Sequence, residues 1–177
     1  MKFCSNCASA VVKRVPPGDN LPRWVCDQCG EIHYENPRLI VGTVPEYRGK
    51  ILLCRRGIEP RYGYCTLRAG FMENRETLAQ AALRETLEEA GAQVELGAPF
   101  SMISVPHVNQ VHLFYRARLR ELDFKAGEET LEVALWDEAS IRWKETPSRT
   151  VALTQQRWFA DRGRGAFGLH AEDLTAG

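Results

Sequence analysis

The 177-residue chain has no surplus of charge: 23 basic side chains are balanced by 23 acidic ones. Without a global positive field, sequence-independent capture of a polyanion by counterion release is disfavoured, so nucleic acid is an unlikely partner. No uninterrupted apolar run reaches the roughly 18 residues that a membrane span needs. Met1-Lys2-Phe3-Cys4 leads into no apolar signal region, so no membrane partner is expected and the expected location is cytoplasmic. Internal repeats and low-complexity tracts are also missing. What is present, 44% hydrophobic and 26% charged residues, is the balance of a globular chain with a real core.

Cysteine is scarce and unevenly placed. Four of the six stand as Cys4-Ser5-Asn6-Cys7 and Cys26-Asp27-Gln28-Cys29, two C-x-x-C knuckles at a separation suited to a four-thiolate zinc site. A redox pair or a disulfide pair explains neither the second copy nor turn residues such as Gly30. Four thiolates leave no open position for water, so the zinc is expected to be structural. A segment of about 30 residues buries too little apolar surface to fold alone, and metal binding supplies the difference. Cys54 and Cys65 lie apart from this set and read as small packed thiols, and His33 as a surface or packing histidine rather than a ligand.

Asn36-Pro37 marks a boundary, because proline biases the residue before it away from helix and an apolar strand follows directly. Two domains are therefore expected, 1–35 and 36–177. In the second, residues 39–44 and 50–54 read as a strand pair across the Glu46-Tyr47-Arg48-Gly49 turn, with further strands at 92–96, 100–105, 111–119 and 131–136. A long helix is expected over 74–90, with Asn74 as N-cap, Glu76 near its positive end and Gly91 as its stop. A second helix is expected over 151–160, and the tail 161–177 carries no clear pattern. Strands crossed by one or two helices make an α+β sandwich with the long helix on one sheet face.

On a wheel of about 100° per residue, Ala79, Leu83, Leu87 and Ala90 share a face that reads as core. Glu85, Glu88 and Glu89 fall together on nearly the opposite side. Like charges so spaced destabilise a helix, and the macrodipole near its C-terminus opposes acids again. A solvated acidic face softened by an Arg84–Glu88 pair is one explanation, and hard divalent cations held by oxygen ligands are the other.

The segment from Gly70-Phe71-Met72 through Glu76, Arg84-Glu85, Glu88-Glu89 and Ala90-Gly91 resembles the Nudix box, Gly-x5-Glu-x7-Arg-Glu-x2-Glu-Glu-x-Gly, at every charged and glycine position. The resemblance implies a Nudix α/β/α sandwich in which Glu85 and Glu89 hold catalytic magnesium or manganese, Glu88 assists, and Glu76 with Arg84 forms a bracing ion pair. A four-cysteine ribbon followed by Tyr34-Glu35-Asn36-Pro37 is similar to a branch that includes NADH pyrophosphatases and plant FAD and ADP-ribose pyrophosphatases. In that branch the segment Gly127-Glu128-Glu129-Thr130-Leu131-Glu132 implies Glu132 as a further metal ligand, with Glu129 a lesser helper. A homodimer is implied by the same resemblance. The chain departs from the branch at Cys65, Arg68 and Arg75, where tryptophan, proline and often glycine are usual. The NADH-specific stretch after the box is absent from residues 100–107, and the run through Pro106 and Gln110 looks more like the FAD and ADP-ribose members.

Cations bridging two phosphates and a positioned water would overcome the repulsion between pyrophosphate and its nucleophile, with either a carboxylate or the metal activating that water. The expected reaction is release of AMP from a nucleoside diphosphate compound, FAD or ADP-ribose ahead of NADH or NAD-capped RNA. Arg55 and Arg56 are candidate phosphate contacts, against a merely solvating role, and Tyr62 and Phe71 are candidates to stack a base or flavin ring, against core packing. The rival from another class is a ribbon that binds RNA or protein beside an inactive sensor domain. A domain that had lost catalysis would have no need of all these carboxylates at once.

Overall fold

The computed structural model describes residues 1–59, 62–146 and 148–175. It separates Met1–Pro37 from Arg38–Gly177 as two units. In the first, β1 (Val11–Arg14), β2 (Arg23–Cys26) and β3 (Ile32–His33) form an antiparallel sheet in that order. Its apolar centre is small: Val11, Cys4 and Cys26 are buried, with Trp24 packed against them. So slight a core is what a metal-organised module of this length should have.

The second unit is built on β4 (Arg38–Tyr47), β5 (Lys50–Arg56), β6 (Cys65–Thr66), β7 (Ala69–Phe71), β8 (Val94–Val105), β9 (Gln110–Leu119), β10 (Thr130–Trp136) and β11 (His170–Asp173). The sheet runs β10-β5-β4-β9-β8-β11, with β6 on β5 and β7 on β4. It is mixed, since β4 runs parallel to β9 and β8 parallel to β11. Two helices, α1 (Leu78–Ala90) and α2 (Arg149–Arg164), cover opposite faces. Val44, Ile51, Leu53, Phe100 and Phe114 meet Val151, Trp158 and Phe159 of α2. Val41 meets Ala81 and Ala82 of α1, and Leu52 and Cys54 meet Ala90. Alternation along each strand sends neighbouring residues to different layers.

Several sequence expectations are corrected. The expected strands 92–96 and 100–105 are one strand, β8, whose pairing with β9 shifts register around Pro99. The strand pair expected across residues 46–49 exists but is short. Arg48 and Gly49 both have positive φ, as a two-residue hairpin turn requires, and only Glu46↔Ile51 and Tyr47↔Lys50 pair before the strands take other partners. The tail contributes β11, paired to β8 from Ser101 to Ser104. Helix α1 begins later than position 74, because Thr77 caps it: Gln80 N–H donates to Thr77 Oγ1 and Thr77 N–H donates to Gln80 Oε1.

The buried face of α1 also differs. Leu83 and Leu87 are 39% and 52% exposed, whereas Ala81, Ala82, Glu85, Thr86 and Ala90 are buried. A stripe of small residues lets the helix lie close to β4, where Thr43 and Thr86 hydroxyls bond at 2.7 Å. A leucine stripe would hold the helix farther off. Close approach is what brings Glu85 to the sheet.

Candidate active site

In the first unit the four cysteine sulfurs all lie within 4.8 Å of one another, the only such group of three or more ligating side chains among the described residues. Cys4 Sγ is 3.7 Å from Cys29 Sγ, and Cys7 Sγ is 3.5 Å from Cys26 Sγ. Zn–S bonds of about 2.3 Å in a tetrahedron give edges of about 3.8 Å, so the donor set fits zinc. Hydrogen bonds from Ser9 pull the Cys7 thiol down to about 6, while Cys29, despite a bond from Glu31, is pushed up to about 11 by desolvation and the neighbouring sulfurs. His33 is buried with Nε2 3.3 Å from Cys4 Sγ, beside the sulfur group.

In the second unit Glu76 lies just ahead of α1. Its Oε1 accepts from Glu73 N–H at 2.5 Å, while Arg84 reaches it with Nη2 at 2.8 Å and with Nε at 3.1 Å to Oε2. These bonds hold the Glu76 carboxyl below the usual carboxylate range. Arg84 Nη2 also donates to Phe71 O at 3.2 Å, fastening the loop to β7. The same guanidinium reaches Glu85 Oε1 at 2.6 Å and Glu88 Oε2 at 3.1 Å through Nη1. Glu85 is 9% exposed, and burial pushes its carboxyl up. It fits because of Gly70: a Cβ at that position would overlap the Glu85 carboxylate.

Glu89 turns to a different cation. Its carboxylate pairs with the Arg68 guanidinium, which also donates to Thr130 Oγ1 at 2.8 Å and Glu129 O at 3.3 Å. The three helix glutamates thus share one stretch of surface, but Glu85 and Glu88 meet at Arg84 Nη1 while Glu89 turns to Arg68. The sequence expectation of a converging trio is modified in that respect: guanidinium groups stand where cations would.

Glu132, expected to join them, faces elsewhere. Between Thr130 and Glu132 the pairing with β5 shifts register, so Val133 packs with Cys54 on the α1 side and Glu132 takes the other side, 3.6 Å from Arg55 Nη1. Glu129 is the nearer of the two distal acids, through its backbone. Arg55 also donates to Gly63 O at 3.2 Å.

Arg56 lines a cleft of about 370 Å³ on the α2 side of the sheet, together with Ile40, Arg68, His112, Phe114 and Ser148. Phe71 stands beside this cleft, since Ile40 pairs with Phe71 on β7 and with His112 on β9, and paired residues share a face. Phe71 is exposed, with Arg38 over its ring at 5.5 Å, and Tyr62 is exposed too. Neither aromatic went into the core. Thr150 Oγ1 lies 2.9 Å from His112 Nδ1, and Gln110 Oε1 lies 3.0 Å from Nε2. Burial pulls His112 below the usual imidazole range, and because Gln110 Oε1 can only accept, Nε2–H donates to it. Sequence reasoning passed over His112 and Thr130, and noted Arg68 only as a departure from a pattern.

A family model of the zinc-ribbon type, described as Nudix N-terminal, matches residues 2–35, and the NUDIX domain model matches residues 36–159. The chain belongs to the NUDIX family. It is 46% identical to a NUDIX hydrolase of known crystal structure from Nitrosomonas europaea, with a TM-score of 0.96 over 99% of this chain and 100% of that one. It is also 32% identical over 154 residues to NAD-capped RNA hydrolase NudC of Photobacterium profundum, covering 85% of this chain and 54% of that protein. The like-named protein of Chromobacterium violaceum is 34% identical over 137 residues, covering 76% of this chain and 49% of that one. The chain thus spans about half the length of these curated relatives. An ADP-ribose pyrophosphatase from Streptococcus suis shares the fold at 17% identity, with a TM-score of 0.57 over 78% of this chain and 100% of that one. No helix among the described residues is long and apolar enough to cross a membrane.

Proposed function

We propose that the chain hydrolyses the pyrophosphate bond of a nucleoside diphosphate-linked compound, with Glu85, Glu88 and Glu89 holding magnesium or manganese. The observation that carries this reading is the acidic stretch of α1, in which Glu85 is pressed into the space left by Gly70 while Arg84 ties Glu76, Glu85 and Glu88 to the β7 loop. Carboxylates this crowded need cations, and a site built on a helix and an edge strand holds them rigidly. Divalent ions there would neutralise the phosphates and acidify water. The chain's own residues do the rest: Glu76 and Arg84 keep the loop in place, and the cleft beside Phe71 receives the organic part of the substrate.

For the substrate we favour a nicotinamide dinucleotide, free or as the 5′ cap of an RNA, which reverses the order expected from sequence. Relatives named for NAD-capped RNA support this, as does a cleft whose Ser148 hydroxyl can meet an amide or hydroxyl while Phe71 beside it stacks a ring. The expectation that nucleic acid is an unlikely partner loses its support. Balanced charge argues against tracking a long polyanion but not against gripping one capped end. FAD and ADP-ribose stay as the second reading, because residues 100–107 lack the NADH-specific stretch.

The test is a panel of NADH, NAD-capped RNA, FAD and ADP-ribose with each divalent metal, scored by release of nucleoside monophosphate. Fastest turnover on the nicotinamide compounds is the expected result. Zinc-loaded, folded protein that leaves the whole panel intact sinks the enzyme reading, and RNA binding in a gel shift without cleavage would put the binding-module alternative in its place.

A further inference from the structure

Among the cations of the acidic site, Arg68 is the one that lies outside the Gly70–Gly91 pattern. It follows Leu67, ahead of β7, and is only 8% exposed. Its Nη2 is held twice, by Glu89 on α1 and by the distal loop through Thr130 Oγ1 and Glu129 O. Its Nε is buried with no partner among the described residues. Thr130 in turn donates to Glu89 O at 3.0 Å, so loop, guanidinium and helix end form one closed set of bonds. A guanidinium does not lose its proton in a protein, and its burial is tolerated only where it is paired. The positive charge beside Glu89 is therefore permanent.

We propose that Arg68 is a resident cation of the acidic site, which holds the Glu89 carboxylate when no divalent ion is bound and which an incoming ion must displace from it. The proposal rests on the reading of Glu89 as a metal-holding residue. Two cations cannot both sit against the same carboxylate oxygen without repulsion, so part of the free energy of metal binding goes into breaking the charge-assisted bond. Arg68 keeps Thr130 Oγ1 and Glu129 O as acceptors after the exchange, which makes the displaced state accessible. The consequence is a site that loads only at higher metal concentration than its carboxylates alone would set. Arg68 is thus a positioning residue, acting through Glu89.

The experiment titrates Mn²⁺ into the purified full chain without substrate, reading free Mn²⁺ by electron paramagnetic resonance. Arg68→Met keeps the volume and removes the charge, and it should tighten Mn²⁺ binding about tenfold or more. Arg68→Lys keeps the charge and should stay near the parent. In a Glu89→Gln background the same Arg68→Met change should leave affinity unmoved, because the carboxylate in competition is gone. If Arg68→Met does not fold, Arg68→Gln takes its place with the same expectation. Equal or weaker binding in the neutral variant overturns the proposal and leaves Glu89 as a metal residue. If neither parent nor variant binds Mn²⁺, the metal reading of Glu89 falls and the resident-cation proposal with it.

Discussion

Four sulfurs in residues 1–37 gather within 4.8 Å of one another, whereas the three glutamates of α1 each face a guanidinium. In the first case a closed four-sulfur site supplements a small core of Val11, Val25, Trp24 and two of the cysteines themselves. In the second the unit has a full core of its own, with Trp158, Phe100 and Phe114 completely buried, and its acidic residues are free to serve chemistry. Soft ligands that serve folding can be fixed by backbone turns alone. Hard ligands that serve turnover have to exchange partners, and arginines hold them in place until they do.

The largest expected effect breaks this comparison most directly. Stripping the ribbon's metal, or replacing Cys26 by serine, should unfold residues 1–37, since structural zinc in comparable modules contributes on the order of 10 kcal/mol. Residues 38–177 should keep their own cooperative melting transition. Zinc content and one-dimensional NMR would check it, and a ribbon that stays folded in chelator would refute the claim that metal must supplement this core.

Asp161 offers the converse, a stability determinant of the second unit that involves no metal. It is 1% exposed, and burial alone would raise it, but bonds from His170 at 2.8 Å and Gly168 N–H at 3.3 Å, with Arg164, hold its carboxyl below the usual range. A depressed folded value stabilises above the unfolded carboxylate pKa, and this contribution disappears as pH falls through the folded one. Asp161→Asn should therefore cost about 3 kcal/mol at neutral pH in chemical denaturation, and less in strong acid, with zinc content unchanged.

Smaller in free energy is the effect on turnover. Glu89→Gln should lower the rate about a hundredfold while the chain stays folded, and Gly70→Ala should do similar damage by pushing the Glu85 carboxylate out of place. Steady-state rates beside melting curves distinguish these from misfolding, and unchanged turnover would remove either residue from the site. The smallest effect belongs to the cap: Thr77→Ala should cost about 1 kcal/mol by freeing the first turn of α1, read in the same denaturation assay.

Much of the ribbon was legible from two C-x-x-C knuckles, because a thiolate metal site depends on local turns. Most of the longer strands and both helices were legible as well, down to Gly91, whose φ of +58° ends α1 in the left-handed conformation. The buried face of α1 was not. Its sequence offers a leucine stripe and an alanine stripe, and only the sheet opposite decides which one packs. Nor was the side that Glu132 faces legible: a register shift of one residue reverses which side a strand residue faces, and that shift comes from pairing with β5.

By itself the sequence determined the chemistry available, namely four sulfurs, an acidic helix end and the glycines and arginines around it, because residue type and short-range spacing fix those. Tertiary structure alone decided which cation each carboxylate meets. Arg68 lies 21 residues from Glu89 and 62 from Thr130 along the chain, and only the sheet that carries β7 and β10 beneath α1 brings the three together.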